Sequence, residues 1–104
     1  MYYIYLLRLA EGMLYTGITT NPARRLNEHM QKSGAGAKYT RNKTVVGMEC
    51  VFSTENRVLA SKLEYWLKKL TKSQKEEVVK TGELSCLQEK IQIEKYVYVG
   101  KKMP

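Results

Sequence analysis

The chain has 104 residues, 43% of them hydrophobic and 27% charged, and carries a net charge of +8. That length and composition describe one globular domain that folds without a metal or disulfide staple, and they exclude a disordered chain. Two cysteines and one histidine exclude a disulfide framework and a zinc cluster, and no apolar run approaches the length of a membrane span.

The opening MYYIYLLRLA is apolar but short. Arg8 interrupts it and no cleavage site of small residues follows, so residues 2–9 read as a strand and not as part of a signal peptide. With Cys50 and Cys86 taken as reduced, half-buried thiols, the expectation is a cytoplasmic protein. Ala10-Glu11-Gly12 reads as a three-residue hairpin loop with a left-handed glycine, and residues 13–18 as the return strand. A loop of that length pairs Leu9 with Met13, Leu7 with Tyr15 and Tyr5 with Gly17. Alternation then puts Tyr5, Leu7, Tyr15 and Gly17 on one face, with Tyr5 and Tyr15 as diagonal neighbours. Ile4, Leu6, Leu14 and Ile18 take the other face as a core stripe. Glycine weakens a strand, so Gly17 opposite Tyr5 suggests space kept open there.

Asn21 caps a helix that starts at Pro22 and runs to about Lys32. Ala23, Leu26 and Met30 form its apolar stripe. Arg25 and His29, four apart, stack beside that stripe, where a cation at the border of the core can point across a cleft. Arg24 lies a step further round, as a solvated charge. The basic loop SGAGAKYTRNK (33–43) follows. Between Arg24 and Lys43 six cations accompany one anion, Glu28, so five of the eight excess charges fall in that window. Such clustering suits a phosphate-binding patch.

Residues 45–53 read as a third strand. Thr54 or Ser53 caps a long helix to about Leu70, on which Leu59, Leu63, Trp66, Leu67 and Leu70 face the sheet. Glu64 falls at the edge of that arc, four residues before Lys68. Ser73 caps a shorter helix that Gly82 stops. Residues 84–90 read as one or two further helical turns, and IQIEKYVYV as either a strand or an extended tail. The order ββαβαα predicts an α+β domain around a three-stranded antiparallel sheet flanked by helices, with residues 1–82 as the domain and 83–104 as a C-terminal extension.

A strand with Tyr-Ile-Tyr, a second with Tyr-Thr-Gly, then N-P-A-R-R-L-x-x-H and a helix A-S-K-L-E-Y-W resemble the GIY-YIG nuclease domain. The likeness is greatest to its small stand-alone bacterial members, the UPF0213 group, and the segments K-S-G-A-G-A-K-Y-T-R and L-T-K-S-Q-K-E are similar to that group as well. Tyr3 stands where the family has its first glycine, Thr16 where it has its middle isoleucine, and Ile18 where some members have a lysine.

The resemblance implies cleavage of a DNA phosphodiester with Mg²⁺ or another divalent cation as cofactor. It carries the first-motif tyrosine onto Tyr5, the second onto Tyr15, the helix arginine onto Arg25, the position four further on to His29, and the metal-binding glutamate onto Glu64. In that scheme Tyr15 is the general base, Arg25 forks onto the phosphate, and Tyr5 and His29 orient Tyr15 or the water. Arg24, Lys38, Arg41 and Lys43 track the DNA backbone. The expected partner is DNA, with no membrane involved, and the expected state is a monomer. Two alternatives are a catalytically silent nucleic-acid-binding module of the same fold and a protein-interaction domain that docks through residues 84–104. Neither requires all of Tyr5, Tyr15, Arg25, His29 and Glu64.

Overall fold

The computed structural model describes residues 1–34 and 40–104. Strands β1 (Tyr2–Leu9) and β2 (Leu14–Thr19) form the expected hairpin. Gly12 has φ +89°, the Leu9 N–H donates to the Met13 carbonyl over 3.0 Å, and the pairs Leu7–Tyr15 and Tyr5–Gly17 fall in the register that the three-residue loop dictates. Helix α1 (Pro22–Gln31) starts at its proline, with the Asn21 side chain accepting from the Arg24 N–H. Strand β3 (Val45–Thr54) then pairs antiparallel with β1. Helices α2 (Arg57–Lys69) and α3 (Lys72–Thr81) follow, the latter ending at Gly82 with φ +70°.

Both later helices start from caps other than those the sequence suggested. Asn56, not Ser53 or Thr54, caps α2 by accepting from the Leu59 N–H. The strand runs on through Thr54, whose hydroxyl instead donates to the Lys95 carbonyl over 2.9 Å. Thr71, not Ser73, caps α3, because Gln74 three residues on completes a reciprocal capping box with it.

The expected three-stranded sheet has a fourth strand. Two 3-10 turns (Ser85–Leu87 and Ile93–Lys95) lead into β4 (Val97–Lys102), which pairs antiparallel with β3 and gives the order β2-β1-β3-β4. Leu84, Leu87, Ile91 and Tyr96 join the core, and the Tyr96 hydroxyl donates to the Leu59 carbonyl of α2 over 2.7 Å. Val97, Tyr98 and Val99 are exposed in succession, so β4 shows no in-and-out alternation that would mark it as a strand.

Each face of the sheet is covered. On one, Ile4, Leu6, Cys50 and Phe52 pack against Ala60, Leu63 and Leu67 of α2 and Val78 of α3. On the other, Tyr5, Leu7, Leu9, Met48 and Val51 pack beneath Leu26 of α1. Each large aliphatic buried this way stabilises the fold by about 1.5–3 kcal/mol. Arg8 forks onto Glu76 with two contacts of 2.6 Å, tying β1 to α3. That hydrogen bond holds the Glu76 carboxyl down to about 2. Cys50 is fully buried and Cys86 exposed, and both are free thiols. No helix among the described residues is long and apolar enough to cross a membrane.

Candidate functional site

The site begins with a departure from the expected stripe on α1. Leu26 and His29 face inward, whereas Ala23 and Met30 are exposed. A histidine can replace an apolar residue here because both its ring nitrogens find partners. Nε2 lies 2.9 Å from the Tyr5 hydroxyl, and Nδ1 lies 3.1 Å from Thr40 Oγ1. The imidazole also packs edge-on against both tyrosines, with ring centroids 5.7 Å away for Tyr5 and 5.8 Å for Tyr15. Tyr5 and Tyr15 are themselves 6.4 Å apart, the diagonal contact that the hairpin register requires.

Gly17 explains how a residue of the central strand reaches the sheet edge. Gly17 lies directly opposite Tyr5 on β2, the edge strand. The Tyr5 ring lies across it: a Cβ at Gly17 would overlap the hydroxyl and come within 2.5 Å of Cζ. The missing side chain does not leave an opening, as the sequence suggested; the phenol fills the space.

Arg25 approaches the same edge from α1. Its Nη1 donates to the Ile18 carbonyl of β2 over 3.1 Å and its Nε to the Glu28 carboxylate over 3.0 Å. Glu64 comes from α2, which packs on the opposite face, and pairs with Lys68 at 3.4 Å. The groups meet electrostatically at Tyr5. Burial pushes its phenol up to about 12; a hydrogen bond from Arg25 opposes that, while the charges of Tyr15 and Glu64 add to it.

Tyr5 thus meets Tyr15, His29 and Arg25, and the Glu64 charge acts on it. Arg24 is exposed, 3.9 Å from Glu28, and Arg41 is exposed in the loop beyond. Lys43 is half-buried, and its carbonyl accepts a hydrogen bond from Lys32 Nζ. Lys38 lies outside the described residues.

Two residues that the sequence reading passed over belong to the site. Glu28 anchors Arg25, and the spacing of three between them could have revealed it. Thr40 is fully buried against His29, and nothing in the local pattern of a basic loop signals that. A third polar group stays unmatched: Thr16 Oγ1 is buried on the α2 side of β2 with no hydrogen-bond partner among the described residues.

Comparison with known proteins identifies the family. Residues 1–77 match the family described as the GIY-YIG catalytic domain. A UPF0213 protein of Citrobacter koseri is 46% identical over 82 residues, covering 79% of this chain and 80% of that protein. UPF0213 proteins of Yersinia pestis and Yersinia pseudotuberculosis are 48% identical over 79 residues, covering 76% of this chain and 81% of theirs. No solved structure gives a significant match. The chain belongs to the GIY-YIG family and is similar to its small UPF0213 members.

Proposed function

We propose that this chain is a metal-dependent DNA endonuclease that hydrolyses a phosphodiester bond at the edge formed by β2. One observation carries the reading: a second phenol from β2 and an imidazole and a guanidinium from α1 meet the Tyr5 phenol where it crosses Gly17, and the charge of the Glu64 carboxylate on α2 acts on it. Membership of a family described as catalytic supports a nuclease-type activity in general.

Hydrolysis needs a group to take the proton of the attacking water, and burial separates the two phenols. Tyr5 is 1% exposed, its hydroxyl is engaged by His29, and its pKa stands near 12, so it keeps its proton and positions its neighbours. Tyr15 is half-buried, within reach of solvent, and acts as the general base. Glu28 takes the Arg25 Nε donor and the Ile18 carbonyl a donor on Nη1, and the remaining donors bind a non-bridging phosphate oxygen. Arg24, Arg41 and Lys43, with Lys38 from the same loop, hold the backbone without reading sequence.

The donor set fits a metal of one kind. No cluster of three or more His, Cys, Asp or Glu side chains occurs among the described residues, so no all-protein cage forms there. The Glu64 side chain is 26% exposed, and its partner Lys68 is an exposed lysine that can give way. A single reachable carboxylate suits a small hard cation that keeps several waters and shares the substrate phosphate, as Mg²⁺ does. Bound there, it would offset charge on the phosphate and on the leaving oxygen.

A nicking assay on duplex, branched and single-stranded DNA, with and without Mg²⁺, tests the proposal. The expected result is a metal-dependent product that Glu64→Ala abolishes. Salt-sensitive binding with no metal-dependent product would replace the endonuclease with a silent binding module.

A further inference from the structure

We infer that Thr40 is a positioning residue: its hydroxyl accepts the Nδ1 proton of His29, fixing the imidazole tautomer and, through it, the direction of the Tyr5 hydroxyl. Thr40, His29 and Tyr5 are 0%, 0% and 1% exposed, so their polar groups must be matched inside the protein and not by bulk water.

The direction of the chain follows from counting donors. Among the described residues, His29 Nε2 at 2.9 Å is the one acceptor placed for the Tyr5 proton. Arg25 has donors only, so it can approach the Tyr5 oxygen but cannot receive that proton. With Tyr5 donating to Nε2, the ring proton sits on Nδ1, and Thr40 Oγ1 at 3.1 Å receives it. The opposite tautomer would aim a second donor at the Tyr5 oxygen and turn its proton away from the imidazole. Thr40 is helical and directly precedes Arg41, so this chain of hydrogen bonds ties the residue beside that cation to the packed rings of Tyr5 and Tyr15. Its consequence for cleavage rests on the endonuclease reading above; the tautomer does not.

The chain has a single histidine, which makes the test direct. In ¹⁵N-labelled protein, long-range proton–nitrogen correlation of the side chain reports one imidazole without ambiguity. The expected result is an Nδ1–H tautomer in the parent protein, lost in Thr40→Val and retained in Thr40→Ser. Tyr5→Phe removes the donor to Nε2 but leaves Thr40 in place, so it too should keep Nδ1–H. An Nε2–H tautomer in the parent overturns the inference, as does an unchanged tautomer in Thr40→Val. If Thr40→Val does not fold, Tyr5→Phe decides: a switch to Nε2–H there would show that Tyr5, not Thr40, sets the ring. In the nicking assay, Thr40→Val should lower kcat by about tenfold to a hundredfold with DNA affinity unchanged, and Thr40→Ser should restore it. A parent protein that shows Nδ1–H yet cuts no DNA would remove the endonuclease reading and leave the positioning role of Thr40 standing.

Discussion

The two faces of the sheet share the same strands but bury different chemistry. Beneath α2 and α3, the side chains of Ile4, Leu6, Phe52, Leu63 and Leu67 form an apolar core. Beneath α1, a comparable depth holds Tyr5, His29 and Thr40 joined by hydrogen bonds, with Leu7, Leu26 and Val51 filling in around them. The first face can be assembled from any side chains of the right volume. The second works only if each polar group meets its partner, because an unmatched buried donor or acceptor costs about 1–3 kcal/mol. The apolar cluster under α2 and α3 and the buried polar network under α1 thus lie on opposite faces of a single sheet, and Glu64 is carried by the helix on the apolar side.

The largest expected effect breaks the chemical side alone. Tyr15→Phe should slow cleavage by about 10²–10⁴-fold, the usual contribution of a positioned proton acceptor. Its unfolding free energy in urea should stay within about 0.5 kcal/mol of the parent, since Tyr15 is only half-buried. Leu63→Ala does the reverse. It opens a cavity at a fully buried position and should cost about 2–5 kcal/mol in urea unfolding, while the protein still folded cuts at the parental rate.

Gly17→Ala sits where the faces meet and should damage both. The new methyl overlaps a fully buried phenol, at a cost of about 1–3 kcal/mol, and displaces Tyr5 from His29. Loss of cleavage together with a lowered melting temperature would support this; a normal variant would mean that Tyr5 does not need the space. Thr16→Val should be stabilising by about 1 kcal/mol, since it removes a buried hydroxyl with no partner among the described residues and keeps the shape.

The smallest effect concerns acid. Glu76 titrates near 2 when folded, against 4.5 unperturbed, so its bond to Arg8 stabilises the fold fully above pH 4.5 and loses that effect as pH falls toward 2. Its side chain is 37% exposed, so solvent screening limits the contribution to about 1 kcal/mol at most. Glu76→Gln should flatten the stability profile between those two pH values and leave cleavage untouched.

Much of this arrangement was legible in the residues. Gly12 behind a three-residue loop set the hairpin register, and the register set which side chains share a face. Asn21-Pro22 and Gly82 marked the start of α1 and the end of α3. What was not legible followed from groups with more than one available use. Thr54 could cap a helix or tie down the C-terminal segment, and it does the second. His29 beside Leu26 looked like a border residue because polarity suggested exposure; two buried partners reversed that. The exposed β4 offered no periodicity to read.

Sequence alone determined the local periods and their phase: which residues of each strand and helix point the same way, and that Tyr5 and Tyr15 must be neighbours. Only the tertiary structure decided that α1 and α2 cover opposite faces, that Thr40 closes over His29, and that the Tyr5 phenol lies across Gly17. The reason is physical. Repeats of 2 and 3.6 residues fix directions within an element, whereas meetings between elements depend on packing and on which polar groups become buried together.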